Sequence, residues 1–253
     1  MFNHRPNSLN AGSLWGRPFY ILREAWNILN AIAEGKIESG DEKKLNALKG
    51  ETMAVIALCQ FDLTRCFGYP YTKDKGASLG APLIDHLVGT YENPPRSTVA
   101  QAYDFIIETL EEAVTLMSEE KNNGRMNKYA ARALLARIYL YHDDNRKAFD
   151  LADQLIKDAD TSGSYTLYPH EKYVAAWSVE AKFGSESFFE MANSVDDTPG
   201  RDSWGYLLNW YGYQKGFVTQ KYAEQMLADP EMCAGSCWRR INMRGKRYGG
   251  CTN

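Results

Sequence analysis

The strongest constraint in this chain is a pair of apolar-periodic segments, 128–141 and 146–159, separated only by His142-Asp143-Asp144-Asn145. Apolar residues recurring at three- and four-residue spacing mark one face of an α-helix. A joint that short favours an antiparallel helical hairpin. The same periodicity dominates the first 160 residues, so the chain is expected to be mainly α-helical.

Leu135, Ala136, Tyr139 and Ala148 fall at the offsets of the tetratricopeptide pattern. Small alanines let two helices approach closely, and Tyr139 is placed to fill the space between neighbouring pairs. The match is partial: Ala152 stands where an aromatic is expected and no proline closes the repeat, so an ordinary hairpin is the other reading. Two further helices are predicted over 15–34, stopped by Gly35, and over 41–67, stopped by Gly68. In the first, Tyr20, Ala25, Ile28, Leu29 and Ile32 are expected to face inward, with Trp15 and Trp26 in the core. In the second, the inward positions are Leu48, Met53, Ile56, Ala57, Phe61 and Leu63. Ser97 suits the N-cap of another helix, which carries Tyr103, Ile106, Ile107, Leu110, Ala113, Val114 and Met117 and ends at Asn122-Asn123-Gly124. The Gly- and Pro-rich connection 69–96 is long enough to suggest a functional loop.

After Gly163 the pattern changes. The segments 165–168 and 187–191 have β-type alternation or aromatic content, 196–216 is loop-like, and 219–228 is amphipathic. The expected fold is a tetratricopeptide-like helical-repeat superhelix with an irregular, loop-rich C-terminal part. Residues 1–160 would form the helical scaffold, 161–231 a ligand-facing segment and 232–253 a tail of different character.

Composition narrows the function. A net charge of −3 argues against nucleic acid as a partner. No apolar run approaches the roughly 20 residues that span a bilayer. Residues 1–10 hold no apolar stretch and no small-residue cleavage site, so no signal peptide is expected and, read literally, the chain is cytoplasmic. Cys59 and Cys66 lie seven apart on one helical face and are expected to be buried free thiols. His4, His86, His142 and His170 are scattered without metal or triad spacing. The groups Glu108, Glu111, Glu112 and Glu119, Glu120 read as a solvated helix face, and Asp143-Asp144 as helix capping. No phosphate loop, nucleophile elbow or zinc-protease helix is present. No enzyme and no cofactor is therefore expected.

Five stretches in order resemble the SusD/RagB family: 15–30 (W-G-R-P-F-Y-I-L-R-E-A-W-N-I-L-N), 48–68 (L-K-G-E-T-M-A-V-I-A-L-C-Q-F-D-L-T-R-C-F-G), 96–116, 124–155 and 185–190. Gly124-Arg125-Met126-Asn127-Lys128-Tyr129 followed by A-A-R-A-L-L-A-R-I-Y-L-Y is the most distinctive. The resemblance implies a nutrient-binding lipoprotein at the outer membrane surface of Bacteroidota. Such proteins cap a SusC-like, TonB-dependent transporter and capture oligo- or polysaccharides or other nutrients for import. Family members are about twice this length, so the chain reads as a fragment, without the signal peptide and lipidated Cys of the family. A helical-repeat scaffold for protein partners is the alternative.

The aromatic-rich loop 196–216 is the candidate ligand site. Sugars present apolar C–H faces that stack on rings, while flanking polar groups bind hydroxyls. Trp204, Tyr206, Trp210, Tyr211 and Tyr213 supply the rings, and Arg201, Asp202 and Asn209 the polar groups. The bland reading, that these rings pack the loop onto the helices, carries similar weight from the residues alone. From Met232 onward the chain is basic, with Arg239, Arg240, Arg244, Lys246 and Arg247 and no acidic residue. It also holds Cys233, Cys237 and Cys251, which lack a fourth zinc ligand and a standard spacing. One base inserted after the Glu231 codon lets the tail be reread as D-V-R-W-Q-L-L-A-E-D-K-Y-E-G-K-A-V-W-G-V-Y, which resembles the family's continuation. A shifted reading frame is therefore expected.

Overall fold

The structure is a computed structural model describing residues 9–37, 40–121, 123–173, 175–177, 182–191, 196, 200, 206 and 219–228. It divides into two compact units, one through Tyr165 and one from Thr166 on.

The first unit holds helices α1 (Leu9–Ala33), α2 (Glu42–Phe67), α3 (Val99–Leu116), α4 (Lys128–Tyr141) and α5 (Asn145–Ser162), with strands β1 (Leu79–Pro82) and β2 (Arg96–Thr98) between α2 and α3. Each helix packs on the one before it, the serial stacking of a helical repeat. Local chemistry sets the boundaries. Asp41 caps α2 by accepting from the backbone N–H groups of Lys43 and Lys44, and the helix stops at Gly68. A Cβ at Gly68 would stand 2.7 Å from the Thr64 carbonyl and 2.9 Å from Val99, so close packing favours glycine there. Asn127 caps α4, Asp144 caps α5, and Gly163 ends α5 in the left-handed conformation that suits glycine.

The core of α1 and α2 gathers Leu22, Ala25, Ile56, Cys59, Leu63, Ala81 and Ile84, with Phe19 and Trp26 packed against it. The α4–α5 hairpin follows the repeat logic: Ala136, Tyr139 and Ala148 are buried, and the Tyr139 hydroxyl reaches Glu111 on α3.

Several expectations need correction. α1 begins at Leu9, six residues early, with Pro18 inside it. The inward face is set by Leu22 and Ala25, while Tyr20 and Ile28 are exposed, because α2 covers a narrower stripe than the apolar pattern offers. Trp26 joins the core, but Trp15 stays partly exposed, edge-on to Phe19 and Phe67. Cys66 is exposed, being on the last turn of α2 beyond its packed stretch. Thr98, not Ser97, caps α3 through a reciprocal capping box with Gln101; Ser97 lies in β2 and donates to the Ala81 carbonyl instead. α3 ends at Leu116, before the Asn-Gly turn.

From Tyr165 on, the described residues carry no strand over 165–168 or 187–191. The Thr166 amide donates to the Ser185 carbonyl (3.1 Å), and the local structure is two helical turns, His170–Lys172 and Ala175–Trp177. Helix α6 (Gln220–Ala228) follows. The tail 232–253 lies outside the described residues.

Candidate functional site

Of the sequence-predicted ligand residues, Tyr206 is described and is partly buried. Arg201, Asp202, Trp204, Asn209, Trp210, Tyr211 and Tyr213 lie outside the described residues. The preceding part of the second unit is organised around Tyr168. Its amide donates to the Glu186 carboxylate, and its hydroxyl occupies the space where a side chain at Gly184 would stand. The Gly184 amide donates to Glu190 (3.4 Å). Around this turn Leu167, Tyr173, Phe189 and Met191 are exposed, giving this unit an apolar, ring-bearing surface beyond the loop singled out in the sequence.

The long 69–96 connection holds the best-formed polar constellation. Its base is fixed from the core. Gln60, wholly buried in α2, donates Nε2 to the Pro82 carbonyl (3.0 Å) and accepts from the Ile84 amide (3.4 Å). Trp26 of α1 donates Nε1 to the Ile84 carbonyl (3.2 Å). On the other strand, Arg96 donates Nε to the Gly80 carbonyl (2.7 Å) and Nη2 to the Leu79 carbonyl (2.8 Å). Above this anchor, His86 lies between two carboxylates. Nδ1 is 2.6 Å from Asp85 Oδ1 and Nε2 is 2.7 Å from Glu92 Oε1. Both raise His86 above the ordinary histidine range, through the Asp85 bond first and then the Glu92 bond. The Gly89 amide and then His86 hold Glu92 below the ordinary carboxylate range. At the tip, Tyr91 is 96% exposed. Sequence reasoning flagged the connection by its length but read His86 as isolated. An Asp immediately before it and a Glu six residues after, with Gly89 between, was the available signal.

A second cluster lies where α2 and α4 end. Phe61 meets Tyr141 edge-on (5.3 Å), and the guanidinium carbons of Arg65 and Arg137 each stand 5.9 Å from the Tyr141 ring. Bonding from Arg65 first, then Arg137, holds the Tyr141 phenol below its usual range. Asp62 pairs with Arg65 at 2.8 Å and partly neutralises it. Behind it, burial pushes Tyr103 up to about 12.

Among the described residues, no group of His, Cys, Asp and Glu could hold a metal ion, and no helix is long and apolar enough to cross a membrane.

Residues 4–140 match the SusD-like family model described as starch-binding and associating with the outer membrane. Among solved structures, the chain is 99% identical to a SusD superfamily protein from Bacteroides vulgatus, with a TM-score of 0.86, covering 91% of this chain and 52% of that one. A candidate sugar binding protein from the same species is 36% identical, with a TM-score of 0.78 and coverage of 87% and 49%. A SusD superfamily protein from Bacteroides thetaiotaomicron is 33% identical, with a TM-score of 0.75 and coverage of 85% and 48%. The chain thus spans about half the length of each of these structures. Comparison with curated proteins gave no match.

Proposed function

Because the chain belongs to the SusD-like family, we propose that it serves as a non-catalytic glycan-binding protein at the cell surface, holding oligo- or polysaccharides for uptake through a TonB-dependent outer-membrane transporter. The observation that carries this reading is the match of the helical scaffold, residues 4–140, to a family described by starch binding and outer-membrane association. Support also comes from the candidate sugar binding protein that is 36% identical.

In this reading the helical unit is the rigid platform and the second unit supplies the ligand contacts. The rings of Trp204, Tyr206, Trp210, Tyr211 and Tyr213 stack on sugar faces, and Arg201, Asp202 and Asn209 bind hydroxyls. The ligand leaves chemically unchanged. Calorimetric titration of the protein against a panel of neutral and acidic oligosaccharides, starch fragments among them, tests the proposal. Saturable binding of at least one glycan, recovered intact, is expected. Silence across the panel, or hydrolysis of the bound sugar, would sink it.

One observation favours a second reading, a scaffold for a protein partner. Phe149 and Ile156 stand seven residues apart on α5 and are 64% and 67% exposed. Under that reading, replacing Trp204 and Trp210 by Ala leaves function intact.

A further inference from the structure

The turn above Ile84 closes on itself through four bonds. The Glu92 amide donates to the Gly89 carbonyl (3.1 Å), and the Gly89 amide donates back to Glu92 Oε2 (3.1 Å). The other Glu92 oxygen takes His86 Nε2, and Asp85 takes His86 Nδ1. A neutral imidazole has one N–H and one lone pair, so it can donate to only one of two carboxylates. Both bonds form as donations only when the ring carries its second proton. We propose that His86 is a protonation-dependent clasp: as imidazolium it ties Asp85 to Glu92 and fixes the 85–92 turn with Tyr91 at its tip, and on losing the proton it lets the turn open.

The base of the turn is independent of this event. Ile84 is held by Trp26 of α1 and Gln60 of α2, neither of which titrates. The charged groups on the ring are Asp85 and Glu92. Their signs define a window. His86 is raised, so its contribution is complete below the ordinary histidine value of about 6.5 and fades as the pH climbs through the higher folded value. Glu92 is lowered, so its contribution is complete above the ordinary carboxylate value and fades as the pH falls through the depressed one. The clasp is closed between the depressed Glu92 value and the raised His86 value and opens on either side. What it controls is Tyr91, whose ring projects into solvent with 96% of its surface free. A ring held in one place loses less freedom on meeting a partner.

The test follows the His86 Cε1–H resonance by NMR in isotopically labelled whole protein, assigned by its disappearance in His86→Asn. The expected midpoint lies above 6.5, and Glu92→Gln and Asp85→Asn each lower it by about half a pH unit, the scale of one exposed ion pair. Gly89 amide exchange should accelerate above that midpoint beyond the ordinary base-catalysed trend in the wild type, and should lose this step in His86→Asn. Circular dichroism verifies that each variant keeps its helices. A His86 midpoint at or below 6.5, or one that neither variant moves, overturns the proposal.

Discussion

Gln60 and Pro82 meet inside the first unit, the buried amide of one donating to the carbonyl of the other across 3.0 Å. With its carbonyl oxygen on the Ile84 amide, Gln60 serves as a surrogate strand for the end of β1. Burying a polar side chain this deeply is costly unless both of its ends are bonded, and here both are.

Gln60→Leu keeps similar volume and removes both bonds. The half-buried Pro82 carbonyl and the buried Ile84 amide are then left without this partner. A loss of about 2–4 kcal/mol is expected, read as a lower urea midpoint in the helical circular dichroism signal. An unchanged midpoint would mean that water replaces the amide.

Gly50 marks the crossing of α2 and α3. A Cβ there would lie 2.7 Å from Met117 Cγ and 2.9 Å from the Ala113 carbonyl. Met117 is flexible, but the carbonyl is backbone and cannot yield cheaply. Gly50→Ala should therefore destabilise by about 1–3 kcal/mol, although alanine inside a helix normally stabilises by about 0.5–1 kcal/mol. Thermal unfolding gives the sign directly, and a stabilised variant would mean that the two helices can separate.

These two residues also show what the sequence conceals. Periodicity located all five scaffold helices, because each buries one stripe, and the α4 bounds came out at Lys128–Tyr141 as predicted. Periodicity treats Gln60 as a polar interruption, since nothing local reveals that it faces Pro82. The early start of α1 was equally hidden, because a proline such as Pro18 normally signals a first turn. The His86 clasp was missed for the same reason as Gln60: its partners come together only once the turn closes. The aromatic loop was legible by composition alone, which says that rings are plentiful and not whether they face a ligand.

Asn127 offers a test of the α4 entry. Its side chain accepts from the Ala130 amide (3.0 Å), and its amide donates to Tyr165 Oη (2.7 Å) and the Glu120 carbonyl (3.2 Å). Capping alone is worth about 1 kcal/mol, and the stranded partners add to it. Asn127→Ala should cost about 2–3 kcal/mol, and Tyr165→Phe only about 0.5–1.5 kcal/mol. Because the residues touch, the double variant should cost less than the two single losses added together. Chemical denaturation of the four proteins measures this, and strict additivity would mean that the Asn127–Tyr165 bond contributes nothing.

Trp204 and Trp210 separate the ligand-binding reading from the bland one. If their rings form the sugar platform, each is exposed in the free protein and covered on binding. Trp204→Ala and Trp210→Ala should then weaken glycan affinity by about tenfold or more, at least about 1.4 kcal/mol each. The unfolding temperature should stay nearly constant, because an exposed ring contributes little to the fold. If the rings instead seal the loop against its own unit, truncation leaves cavities and the unfolding temperature falls by several degrees for a loss of a few kcal/mol. Any affinity change would then track the loss of folded protein. Calorimetry and thermal unfolding on the same samples distinguish the two, since one reading moves affinity alone and the other moves stability first.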